Sequence, residues 1–73
     1  MKIGRNKLYW LHNVGFERRP ATTNWTVRIY TARYEWKELM ISREGILRMT
    51  LTNLRAWYAL EFYKITHNKP QYN

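Results

Sequence analysis

A chain of 73 residues with no cysteine has to be held together by its own packing. At this length folding buries only about 60% of the surface the unfolded chain exposes, and small domains usually add disulfides or a structural metal. Disulfides, thiolate zinc sites and cysteine nucleophiles are all closed to this sequence. It has aromatic mass instead: four Trp, six Tyr and two Phe, side chains that each bury a large area. With 45% hydrophobic residues, the composition fits one small basic domain over residues 1–73 and not a disordered tail.

The pattern along the chain then suggests its elements. Lys7 to Val14 (KLYWLHNV) is rich in strand-forming side chains and stops at Gly15, which predicts a first strand. Phe16 to Asn24 contains Pro20, small polar residues and the pair Arg18-Arg19, the composition of a basic loop. From Trp25 the alternation is clear, with Trp25, Val27 and Ile29 to one side and Thr26, Arg28 and Tyr30 to the other. Tyr34 to Ser42 fits a strand or a helix, because Trp36, Leu39, Met40 and Arg43 also have helical spacing. Ser42-Arg43-Glu44-Gly45 tips it to strand, as a type I turn closing a hairpin that sets Met40 beside Leu47, Glu38 beside Met49 and Trp36 beside Leu51. Leu54 to Thr66 lines up Leu51, Leu54, Tyr58, Phe62 and Ile65 as a helix behind an Asn53 or Thr52 cap, and also alternates as a strand; its length and its Leu, Arg, Ala and Glu content favour helix.

The expected fold class is therefore α+β: a small antiparallel sheet of three to four strands, packed by one C-terminal helix and free on its other face. Residues 67–73 are expected to be a flexible tail. An all-β meander or small barrel is the alternative. At the level of layout the first arrangement resembles the DNA-binding domains that insert a three-stranded sheet into the major groove.

Charge points to the partner. Thirteen Lys and Arg stand against five Glu and no Asp, a formal net charge of +8. A field of that sign attracts polyanions, whose binding draws on counterion release. The expected partner is DNA or RNA, with an acidic protein surface on a larger host enzyme as the alternative. Trp and Tyr with Arg are also the residues of interface hot spots, and a homodimer is a further option. No apolar run reaches the length of a membrane span, and no signal-like apolar core follows Met1, so a cytoplasmic chain is expected, with a phage or mobile element as a source that fits a short basic chain without cofactors. Asn24-Trp25-Thr26 matches a glycosylation acceptor by coincidence under that expectation.

Catalysis is poorly supplied. The five glutamates are scattered, Ser42 is the one serine, His12 and His67 lie far apart, and Gly4, Gly15 and Gly45 form no phosphate loop. Neither a metal nor another cofactor is expected. Metal-independent RNA cleavage on His67, Tyr72, Arg28, Arg48 and Lys64 is the one enzymatic alternative. The expected site is instead a binding surface, with Arg28, Tyr30 and Arg33 on the free sheet face, Arg18 and Arg19 beside it, and Lys2, Arg5 and Lys7 clamping the backbone. Trp25, Trp36 and Trp57 are assigned to the core, with Tyr9 and Trp10 left unsettled.

Overall fold

The computed structural model describes residues 2–67, and the fold is α+β. Helix α1 (Arg5–Val14) leads into a three-stranded antiparallel sheet of β1 (Glu17–Arg18), β2 (Asn24–Ala32) and β3 (Glu35–Ser42), in the order β1-β2-β3. Two further helices follow, α2 (Arg43–Arg48) and α3 (Leu51–Thr66). The paired strands β2 and β3 and the C-terminal helix are as the sequence implies, whereas β1 lies in the segment expected as a basic loop. Two other elements also differ.

The segment expected as a first strand is α1. Strand propensity at Tyr9, Trp10 and Val14 loses to a stripe of Leu8, Leu11 and Val14 at three-residue steps, which sets Leu11 fully inside the core. Gly15 stops a helix and not a strand: at φ 110° it occupies the left-handed region, and its N–H and that of Phe16 both donate to the Leu11 carbonyl, at 3.1 and 2.9 Å. Phe16, expected in a loop, then turns straight into the core.

The second correction is the Ser42 turn. Ser42 caps α2, its Oγ accepting from the Gly45 N–H at 3.1 Å, and Glu44 sits in the first turn where the helix dipole favours an acid. The chain therefore leaves the sheet, and Leu47, Met49 and Leu51 do not pair with β3. Gly45 suits the tight entry, since a Cβ there would approach Ile41 Cγ1 to 3.2 Å. Helix α3 starts earlier than expected, with Thr50 as its cap accepting from the Asn53 N–H at 3.1 Å.

In β2 the alternation holds as expected. Trp25, Val27 and Ile29 join Leu39 and Ile41 of β3 on the covered face, where Leu11, Phe16, Ile46 and Leu54 of the helical layer close the core. Trp10 packs against Phe16 and edge-on to Tyr58, with ring centroids 5.9 and 5.6 Å apart. Trp57 lies half-buried against the core, while Tyr9 is exposed. Between α1 and α2, the Lys7 Nζ donates to the carbonyls of Ile46 and Leu47 at 2.8 and 3.4 Å.

Candidate nucleic-acid interface

The register of β2 with β3 defines the uncovered face. Thr26 stands opposite Met40, Arg28 opposite Glu38 and Tyr30 opposite Trp36, and Glu17 of β1 joins them opposite Thr26. Side chains two apart on a strand share a face, so these residues form one surface across the sheet.

Its two halves differ. Near β1, the face holds Glu17 and Glu38 with Arg19 and Arg28 around a shallow polar depression, and Arg19 is ion-paired to Glu38. The charges there balance, so this half is not the basic surface expected from composition. Beyond Ile29, every residue from Tyr30 to Glu38 is exposed, and the hairpin continues as an arm outside the core. A register shift between Tyr30 and Ala32 bulges β2 just before the turn at Arg33-Tyr34.

Rings concentrate on the arm. Tyr30 is 58% exposed, Tyr34 87% and Trp36 43%. The Arg28 guanidinium lies 4.3 Å from the centroid of the Trp36 ring, a cation–π contact that holds the plane of the indole and the charge together. Arg33 and Lys37 are matched there by Glu35 and Glu38, so the arm's own charges balance, and Arg28 at its base is the cation beside the rings.

The residues expected at the site therefore divide into groups. Arg28 and Tyr30 share the uncovered face, as expected. Arg33 lies in the turn at the tip and not on the strand. Arg19 is beside the face but engaged by Glu38. Arg18 registers with Trp25 and so belongs to the opposite side of the sheet, because it is one residue out of phase with Glu17. Lys2 and Arg5 lie at the start of α1, and Lys7 is bound to the carbonyls at the end of α2. Tyr34 and Trp36 are additions, while Lys37, opposite Ile29, falls on the other side of the sheet as Arg18 does. Trp36 in particular belongs outside the core, and the signal was its even-numbered phase with Glu38 and Met40 against the buried Leu39 and Ile41.

The residues of the enzymatic alternative do not form a visible group. Arg28 faces away from the helical layer, Lys64 pairs with Glu61 at 3.5 Å, and His67 stacks on Tyr63 with centroids 4.0 Å apart at the end of α3. Tyr72 lies outside the described residues, as does most of the expected tail. No three His or Glu side chains among the described residues converge as metal ligands, and no helix there is long and apolar enough to cross a membrane. Burial raises the Tyr58 pKa above its ordinary value, which suits a packing role among Trp10, Phe16 and Phe62.

No protein-family model matches this sequence, and neither a curated protein nor a solved structure matches it.

Proposed function

We propose that the protein is a non-enzymatic nucleic-acid-binding domain whose β2–β3 arm engages unpaired bases of DNA or RNA. The observation that carries this is the exposed set Arg28, Tyr30 and Trp36, with the guanidinium laid on the indole and both rings in register across the two strands. Every base has a π face, so stacking on Tyr30, Tyr34 and Trp36 tolerates any sequence, while Arg28 and Arg33 supply phosphate contacts. Insertion of the whole sheet into a duplex major groove is less well supported. Strand β1 has two residues, and Glu17 and Glu38 stand on the half of the face that would meet the phosphates.

The test is titration of labelled oligothymidylate, oligouridylate and duplex DNA at several salt concentrations. Preference for the single strands and a linear fall of log affinity with log salt are expected. Absence of binding at low salt, or affinity unchanged by Arg28→Ala, rejects the proposal.

A further inference from the structure

On the other side of the sheet, a cleft of about 360 Å³ opens between the start of α1, β1 and the start of α2. Lys2, Arg18 and Arg43 stand around it, and no carboxylate lines it. The fold brings them there for separate reasons: Lys2 precedes α1, Arg18 follows the phase of Trp25, and the Arg43 N–H donates to the Thr23 carbonyl at 3.1 Å. None of the three cations is ion-paired among the described residues. Like charges gathered without a counter-charge repel, and an anion in their midst removes that cost. Leu8 and Trp25 supply apolar wall, and the Trp25 Nε1–H is a buried donor with no acceptor among the described residues. His12 stands edge-on to the Trp25 ring at 5.8 Å.

We propose that this cleft binds a phosphomonoester carried on a flat, apolar body: a nucleotide, free or at the phosphorylated end of a strand. The phosphate accepts from Arg18, Arg43 and Lys2, whose charge-assisted bonds are the strong ones, and the base lies on the apolar wall. Only the strand-end source rests on the nucleic-acid function of the arm. The cleft and the arm lie on opposite sides of the sheet and use different residues.

The experiment follows the indole N–H resonances of the four tryptophans in a ¹⁵N-labelled full chain during titration with thymidine 5′-monophosphate and, separately, thymidine. The monophosphate is expected to shift the Trp25 signal saturably and thymidine to leave it in place. Arg18→Gln with Arg43→Gln is expected to weaken the monophosphate by about tenfold or more, while Arg28→Ala leaves it unchanged. Tighter binding of 5′-phosphorylated than of 5′-hydroxyl oligothymidylate identifies the strand end as the source; equal binding, with the monophosphate still saturable, assigns the cleft to the free nucleotide. No saturable shift with the monophosphate, or one undiminished in the double variant, overturns the proposal. That result leaves the arm untouched, because the titrant carries a single base and Arg28 is not required. Loss of oligonucleotide binding in Arg28→Ala or Trp36→Ala tests the arm alone.

Discussion

Replacing Trp36 with alanine separates a surface that binds from a residue that packs. The ring is 43% exposed and lies outside the core, and it makes two specific contacts. One is the cation–π contact with Arg28, about 0.5–1 kcal/mol at an exposed site. The other is the cross-strand pair with Tyr30, about 0.2–1 kcal/mol. Their loss together costs about 0.7–2 kcal/mol. Trp25, 5% exposed in the core, sets the contrast: its truncation is expected to cost about 3–5 kcal/mol. If a base stacks on Trp36, removing the ring weakens binding by about 1–3 kcal/mol. That is a roughly 5- to 150-fold rise in Kd at fixed salt. The assay is anisotropy of labelled oligothymidylate in low salt, beside thermal unfolding followed by circular dichroism. Trp36→Phe keeps a ring and is expected to retain most of the affinity. The reasoning fails if Trp36→Ala binds as tightly as the parent, or if it unfolds as readily as Trp25→Ala.

Three further outcomes follow from the geometry. Gly15→Ala places a Cβ at φ 110°, where the clash is with the residue's own backbone and not with Val27 at 3.7 Å, so denaturant unfolding should show a loss of about 1–2 kcal/mol. Glu38→Gln releases Arg19 from an exposed ion pair; stability should change by less than about 1 kcal/mol, while oligonucleotide affinity and its salt slope both rise, and an unchanged slope would count against Arg19 as a phosphate contact. Tyr58 is held neutral by burial, with a folded pKa above the ordinary 10.0. The unfolded chain therefore ionises this phenol first, so its contribution is fully present below pH 10.0 and is lost as pH rises through the folded value; Tyr58→Phe should flatten that alkaline decline in thermal melts.

The legible part of this fold is its strongest periodicity. Alternation in β2 identified both faces of the sheet, and with them Arg28 and Tyr30 as outward, because a half-buried strand has one solution for its side chains. The C-terminal helix was legible from its length. What misled was local chemistry that serves two structures equally well. Gly15 ends a strand or a helix, and only the packing of Leu11 decides which. Ser42-Arg43-Glu44-Gly45 is a turn or a capped first turn, and Ile46, fully buried one residue later, decides for the helix. Trp36 was drawn inward by its size, although its phase with Glu38 pointed out. The division of charge between a balanced sheet face, a balanced aromatic arm and a cationic cleft was hidden from composition, since it depends on which side of β1 Arg18 falls.

The bond from Lys7 to Ile46 and Leu47 joins parts of the chain 39 and 40 residues apart. The hairpin of β2 and β3 needs only a two-residue turn to close, whereas α1 finds its carbonyl partners only after β3 has ended and α2 has formed. Closing so long a span costs more chain entropy than closing the hairpin, so this link between α1 and α2 forms only after the chain between them has folded back. Removing the Lys7 ammonium should therefore loosen α1 and α2 together while leaving the arm's own hydrogen bonds intact.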